Sequence, residues 1–415
     1  MDKELGIYVH IPFCAGKCAY CDFYSRAGCD ELMPEYQRAL LDHIRESQSS
    51  MEGYLVDTVY FGGGTPSYYG ADRLIEIFTA LKKYAMVLVE SEVTLEANPD
   101  SVKYTDLKKL RRAGFNRISI GAQCADDTIL KSIGRIHTWK QVTEAVATAR
   151  QAGFENVSID LIYGLPSQTR EGWADTLKAA VNLKPEHFSC YGLKIEEGTP
   201  LYPYKDSPFI PDDDAQADMY LYTVDFLERY GYRQYEISNF AKRGYHSRHN
   251  LRYWQGKEYL GFGAAAHSYI HNARFSFIPD MKKYADSIEN GKSVIDSMEE
   301  ITDFERAGEY LMLGLRTNHG VSAKEYYDIF PCRFDLCEEL MESYRKNGWM
   351  VKNEDRWSFT PQGMLLSNVL IGNILETQTK ARAGTVAPWK ERELAERQFT
   401  MFTKDKVETE LFNGI

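Results

Sequence analysis

Between residues 5 and 195 the chain alternates strand-like and helix-like stretches six times, and this regularity restricts the fold more than any other feature. The strand-like runs are residues 5–11, 58–61, 92–97, 117–122, 156–162 and 187–193, rich in β-branched and aromatic side chains. Amphipathic stretches stand between them at 35–45, 73–83, 105–113, 139–152 and 172–183, with Ala113-Gly114 and Ala152-Gly153 as helix stops. Repeated βα units predict a parallel sheet, closed or partly closed into a barrel, with chemistry at the C-terminal strand ends. An open doubly wound sheet satisfies the same periodicity and stays as the alternative.

The first strand delivers the most specific motif. Residues 8–24 read Tyr-Val-His-Ile-Pro-Phe-Cys-Ala-Gly-Lys-Cys-Ala-Tyr-Cys-Asp-Phe-Tyr, which spaces Cys14, Cys18 and Cys21 as C-x3-C-x2-C in a loop. Three thiolates suit three irons of a cubane [4Fe–4S] cluster and leave one iron open to a ligand. The rival is a structural zinc site, which wants four closed ligands, usually as two paired knuckles, and no second knuckle follows.

Composition narrows the rest. A chain of 415 residues is too long for one ordinary core, and 44% hydrophobic with 26% charged residues is globular. No apolar run reaches the roughly 18 residues of a membrane span. The first residues, Met-Asp-Lys-Glu-Leu, lack the basic and apolar segments of a signal peptide, and a thiolate motif needs reduced cysteines, so the cytoplasm is expected. A net charge of −11 disfavours nucleic acid as a partner. The scattered Cys29, Cys124, Cys190, Cys332 and Cys337 read as ordinary thiols.

The cysteine string resembles the signature of radical S-adenosylmethionine (SAM) proteins. With Tyr8, His10-Ile11-Pro12-Phe13, Tyr20 and Asp22-Phe23, it is similar to the branch that contains oxygen-independent coproporphyrinogen III oxidase and its heme-chaperone relatives. The resemblance implies a partial (β/α)6, TIM-like radical SAM barrel, with SAM chelating the open iron. It implies further that Tyr8, Tyr20, Gly62, Gly63, Gly64, Thr65, Glu96, Gln123, Arg135 and Asp160 surround SAM. The residues have their own logic: three glycines admit close backbone approach, a carboxylate suits ribose hydroxyls or an ammonium, and arginine suits a carboxylate. A structural ion pair of Glu96 or Asp160 with Arg117 or Arg135 is the plainer reading. Cys124 stands where such relatives often carry serine, a change expected to be tolerated.

Three later strings extend the resemblance: Tyr235-Glu236-Ile237-Ser238-Asn239-Phe240-Ala241, His249-Asn250-Leu251-Arg252-Tyr253-Trp254 and Gly261-Phe262-Gly263-Ala264-Ala265-Ala266-His267-Ser268. In the chaperone branch the His-Asn-x-x-Tyr-Trp string is linked to heme, so His249 is expected as axial ligand with Tyr253 and Trp254 against the porphyrin. Without the resemblance, a histidine beside aromatics is ordinarily a hydrogen-bonded core residue, and His246, His267 and His271 are rivals.

The expected division is a barrel core at 1–235, a family-specific segment at 236–298, a winged-helix-like α+β domain at 299–372 and a tail at 373–415, either an exposed helix or a flexible segment. In the last domain helices at 303–316, 323–329 and 335–347 precede strand-like runs at 349–352 and 357–360. Asp335, Glu338, Glu339 and Glu342 on its third helix would repel DNA phosphates. The oxidase branch typically extends the motif to C-x3-C-x2-C-x-C and carries a longer N-terminal arm. Here that position is Phe23 and only 13 residues precede Cys14, which favours the chaperone branch. That branch implies heme passed to respiratory hemoproteins, with at most transient membrane association.

Overall fold

The computed structural model describes residues 3–330 and 334–384. Six strands, β1 (Lys3–Ile11), β2 (Tyr54–Gly63), β3 (Met86–Ala97), β4 (Arg117–Gln123), β5 (Asn156–Tyr163) and β6 (His187–Gly192), pair in parallel in chain order. Helices α1 (Met33–Glu46), α2 (Ala71–Tyr84), α3 (Tyr104–Ala113), α4 (Trp139–Ala152) and α5 (Arg170–Val181) connect them. The order never reverses, and a doubly wound sheet requires a reversal; the barrel reading therefore holds.

The sheet continues beyond the six. β7 (Asn239–Ala241) adds antiparallel to β6, and β8 (Tyr259–Phe262) adds parallel to β1. β9 (His267–Ile270), β10 (Ala273–Phe277) and β11 (Ile295–Glu300) follow as an antiparallel run. Residues 259–300 thus extend the barrel's own sheet, although their motifs set 236–298 apart as a separate segment.

Alternation along each strand gives the sheet two unlike faces. Val59 and Phe61, Val93 and Leu95, Ile118 and Ile120, Val157 and Ile159, and Phe188 are all fully buried among helix residues such as Leu74, Phe78, Leu107, Val142 and Trp173. Each such side chain stabilises the fold by about 1.5–3 kcal/mol relative to exposure. The opposite face carries Thr58, Tyr60, Thr94, Glu96, Arg117, Ser119, Ser158, Asp160, His187, Ser189 and Tyr191. The inside of the barrel is polar from strand to strand.

Two more helices touch the barrel. α6 (Asp213–Arg229) packs Trp173 against Thr223, the indole N–H donating to the hydroxyl at 2.8 Å. α7 (Arg248–Trp254) enters beneath the strands with Ser247 as its cap. The C-terminal module has its own core around Leu311, Tyr326, Met341 and Trp357. Its longer helices are α8 (Asp303–Gly314), α9 (Ala323–Ile329), α10 (Asp335–Lys346) and α11 (Ser367–Gly384), with a single turn at Pro361–Leu365 before the last. Strands β12 (Val321–Ser322), β13 (Met350–Asn353) and β14 (Arg356–Phe359) make a three-stranded wing, one strand more than the expected hairpin. The module joins the barrel through a bridge from Glu236 to Thr317 and backbone bonds from Ile237 to Arg316 and from Asn318 to Tyr235.

The tail expected from 373 begins instead within α11, which packs Leu370, Ile371 and Ile374 into the module's core. Residues 385–415 and Cys332 lie outside the described residues. Among the described residues no helix is long and apolar enough to cross a membrane.

Candidate functional site

The cysteine loop leaves β1 at its C-terminal end and is pinned from several sides. Phe13 stacks on Tyr69 at 5.2 Å and meets Tyr36 edge-on at 5.5 Å, which buries the backbone just before Cys14. The Ala19 amide donates to Ile133 O and the Leu201 amide to Ala19 O, both at 3.0 Å, so two later loops clamp the middle of the motif. Cys14 is buried and Cys18 and Cys21 are partly exposed. Burial pushes the Cys14 and Cys21 thiols up; the Thr65 hydroxyl, which donates to Cys14 Sγ at 3.4 Å, pulls the other way. Phe23, where the longer motif would carry its fourth cysteine, is 66% exposed.

Among the described residues no three His, Cys, Asp or Glu groups converge on a single metal ion. A cubane asks for something else, since each thiolate takes its own iron and the sulfurs stand apart. The surroundings fit such a group. The Gly64 and Thr65 amides donate to Ile11 O and Phe13 O at 2.8 Å, laying the end of β2 along the cysteine loop. A Cβ at Gly64 would meet Phe13 O at 2.8 Å and Cys14 Sγ at 3.0 Å, and one at Gly63, where φ is +109°, would strike the His10 ring. Only glycine leaves that approach open.

Tyr20, Arg135, Asn98, Thr65 and Cys14 form one hydrogen-bonded sequence that leaves the cysteine loop and returns to it. Arg135 donates to the Tyr20 hydroxyl at 2.8 Å and to Asn98 Oδ1 at 2.6 Å; Asn98 Nδ2 donates to Thr65 Oγ1 at 3.0 Å. The guanidinium faces Cys18 and Cys21 as well as Tyr20. At Cys14 this cation opposes the upward push of burial. Asn98 was not among the expected residues; its place at a strand end before Pro99 was the available signal.

Glu96 and Asp160 do not form the ion pairs that the plainer reading offered them. Glu96 accepts from the Tyr60 hydroxyl at 2.7 Å and the Gly63 amide at 3.2 Å, and burial lifts it to about 7. Asp160 accepts from Ser119 at 2.9 Å and Ser158 at 3.2 Å, and burial again pushes it up. Arg117, 1% exposed, makes no ion pair within 4 Å among the described residues, and its Nε and Nη1 lack a hydrogen-bond partner there. Gln123 ends β4 at φ 63°, a left-handed conformation unusual for a side chain of its size and often kept where function needs it. Tyr191 is 42% exposed while its hydroxyl senses Asp160, Glu236 and Glu96, so it faces an open lumen. Gly62, Gly63, Gly64, Thr65, Glu96, Gln123, Arg135, Tyr20 and the three cysteines gather at this mouth; Tyr8 lies further in, its ring 6.2 Å from Tyr60 and 6.5 Å from His249, and Asp160 pairs with Gly121, one step beyond the Glu96–Ser119–Ser158 register.

Cys124 takes the part of a serine. Its sulfur accepts from the Asp126 amide at 3.4 Å and contacts Gln168 Nε2 and Thr176 Oγ1.

His249 lies one layer below the mouth, against Tyr8 and Tyr60, the second of which donates to Glu96. Its Nδ1 lies 2.9 Å from Thr58 Oγ1 and its Nε2 2.8 Å from the Tyr253 hydroxyl, and its ring stacks on Tyr60 at 5.1 Å. The residue is fully buried, and burial drives it down to about 3, leaving it neutral. Glu92 caps the helix by accepting from the Arg248 and His249 amides at 3.0 and 3.1 Å, and Arg252 pairs with buried Asp57. The α7 helix is the floor of the barrel. As the chain stands here, both imidazole nitrogens of His249 are engaged, and Tyr253 is one of the partners. A His at i and a Tyr at i+4 share one helical face, which is why they meet.

Residues 8–180 match the Radical SAM superfamily and residues 301–366 the HemN C-terminal domain. Fold and cysteine loop together define a radical SAM protein. The structure of coproporphyrinogen III oxidase (HemN) from Escherichia coli superposes with a TM-score of 0.80 over 91% of each chain, at 23% identity. Heme chaperone HemW from Bacillus subtilis is 36% identical over 89% of this chain and 98% of its own length, and that from Escherichia coli 31% identical over 88% and 97%. The chain belongs to the HemW family.

Proposed function

We propose that this protein is a radical SAM heme chaperone of the cytoplasm that holds a [4Fe–4S] cluster, SAM and heme and delivers heme to respiratory hemoproteins. The observation that carries the reading is the full-length kinship with proteins named heme chaperone HemW. Cys14, Cys18 and Cys21 would hold the cluster, whose chemistry when bound is one-electron reduction of SAM. The chain's own groups do the rest. The Gly62–Gly64 backbone and Thr65 receive the amino-acid end of SAM, and Arg135 holds charge beside the thiolates. Tyr8, Tyr20 and Gln123 border the same space, and Glu96 and Asp160 accept hydroxyl or ammonium hydrogens from inside the barrel.

His249 keeps a part in heme binding, in altered form. Its imidazole is neutral, the ligating form, yet an axial bond to iron requires Tyr253 to surrender Nε2 and α7 to shift. Tyr253 is then a latch, and Trp254, half-buried at the end of α7, is the aromatic side chain we assign to pack against the porphyrin.

The test is anaerobic reconstitution followed by separate incubation with hemin and with coproporphyrinogen III. Bound heme without porphyrinogen turnover is the expected result. Decarboxylation to vinyl product would replace the chaperone by an oxidase.

A further inference from the structure

Asp160 accepts hydrogen bonds from side-chain hydroxyls on three strands. Ser119 Oγ donates to both of its oxygens at 2.9 Å, Ser158 Oγ donates to Oδ1 at 3.2 Å, and the Ser189 side chain also bonds to it. Ser158 Oγ lies 2.8 Å from His187 Nδ1, and His187 Nε2 lies 2.8 Å from the Tyr235 hydroxyl. The sequence of bonds ends on a backbone group, the Ser247 amide, which donates to the Tyr235 oxygen at 3.2 Å. Ser158, His187, Tyr235 and Ser247 are all buried, so water does not interrupt the path. None of His187, Tyr235 or Ser158 carried a functional expectation from sequence.

An ionised carboxylate cannot donate, so the Asp160 end sets the direction of the hydrogens along the series, and the Ser247 amide, which only donates, is compatible with it. Tyr235 accepts from Ser247 and donates to His187 Nε2. His187 is then the Nδ1–H tautomer and donates to Ser158, which donates to Asp160. The reverse arrangement would direct the Ser158 hydrogen to His187 and leave the Asp160 contact with none. Burial, with Arg117 and His246 nearby, holds His187 well below its ordinary value, which keeps the imidazole neutral as the series requires. Aligned hydrogen bonds in a low dielectric polarise and strengthen one another.

We propose that His187 and Tyr235 are positioning residues for Asp160: a one-way series of donors starting at the Ser247 amide holds the carboxylate ionised and oriented for its ligand. Because Ser247 caps α7, the helix that carries His249 is tied into the SAM site at its first residue. The inference rests on Asp160 contacting SAM, as read above.

Several charged or titratable groups face Asp160: Arg117 from β4, Glu96 from β3, Tyr60 from β2, and Cys190 and Tyr191 from β6. Glu96 titrates near neutrality by itself, so the decisive quantity is the difference between variants and wild type at each pH. The experiment is a SAM titration of reconstituted holoprotein from pH 6 to 9 with wild type, Tyr235→Phe, Ser158→Ala and Asp160→Asn, checking iron content in each. Tyr235→Phe keeps the ring stacked on His246 and removes only the hydroxyl. Its affinity should fall roughly tenfold at pH 6.5 and recover toward pH 8.5, as loss of a donor raises the Asp160 titration. Ser158→Ala should follow the same profile, and Asp160→Asn should weaken binding at every pH.

A Tyr235→Phe curve identical to wild type, or lower by one constant factor at all pH values, overturns the proposal while Asp160→Asn still weakens binding. Unchanged SAM affinity in Asp160→Asn would overturn the placement of SAM instead. If the variants fail to fold, the 15N shifts of selectively labelled wild-type His187 decide: the Nδ1–H tautomer supports the series, and the Nε2–H tautomer overturns it.

Discussion

At the mouth of the barrel the chain keeps positions that cost stability, whereas toward the floor, where the same strands begin, most charged groups are paired. The mouth holds Gly63 and Gln123 at positive φ, a guanidinium facing thiols, and Glu96 lifted to about 7 by burial. The floor holds His249 bonded at both nitrogens, Glu92 capping α7 and Asp57 paired with Arg252. A left-handed side chain and a lifted acid mark where a ligand is received, and close side-chain pairing marks where the barrel is closed, although Arg252 Nε and Arg117 Nε and Nη1 stay without a partner there among the described residues.

The comparison can be broken by exchanging the two outcomes. Replacing Cys14, Cys18 and Cys21 by Ala should abolish the iron of anaerobically purified protein, about four per chain before substitution, with little change in melting of the apo form. Asp57→Ala at the floor should do the reverse, costing about 3–5 kcal/mol because Arg252 stays buried without its partner, while the remaining folded protein takes up iron normally. Iron loss in the second variant, or severe destabilisation in the first, would erase the division.

The pH dependence sharpens it. Glu96 titrates near 7 folded and near 4.5 unfolded, so between these values the folded state binds the extra proton and stability falls as pH rises. Glu236 is lifted to about 7 by burial and acts in the same window. Chemical denaturation should therefore show stability declining from pH 5 to 7.5, with Glu96→Gln removing on the order of 2 kcal/mol of that decline. SAM affinity should move in the opposite sense, rising as the Glu96 carboxylate ionises.

At the floor, Tyr253→Phe should free His249 Nε2 and tighten hemin binding several-fold in a Soret titration. Weaker binding would mean that Tyr253 contacts heme itself. The smallest effect is expected from Cys124→Ser, below about 1 kcal/mol by thermal melting, since an oxygen inherits the Asp126 amide contact.

The six strands were legible because their outward residues are apolar and alternate with polar ones, and the glycine and proline breaks gave the turns. The mouth was legible for a related reason: cysteines, adjacent glycines and acids at strand ends stand out against a hydrophobic rhythm. The floor was not. His249 and Tyr253 carry the same letters whether they face a ligand or each other, and only the packing of α7 under Thr58 and Tyr60 separates the two. Glu92 and Thr94 read as ordinary alternation, although they line the interior. The series from Ser247 to Asp160 joins residues up to 89 positions apart, and nothing local in His187 or Tyr235 announces it.

The polar inner face has a calorimetric consequence. Unfolding exposes buried apolar surface from the outward face, which raises heat capacity, and buried hydroxyls, carboxyls and guanidinium from the inward face, which lowers it. For this barrel the increment per residue should fall below the usual figure of about 12–15 cal/mol/K, giving a flatter dependence of stability on temperature. Arg117 contributes most to that offset, being the largest fully buried polar side chain. A chain built to keep a polar, charged interior is thereby also one whose stability changes slowly between cold and warm conditions.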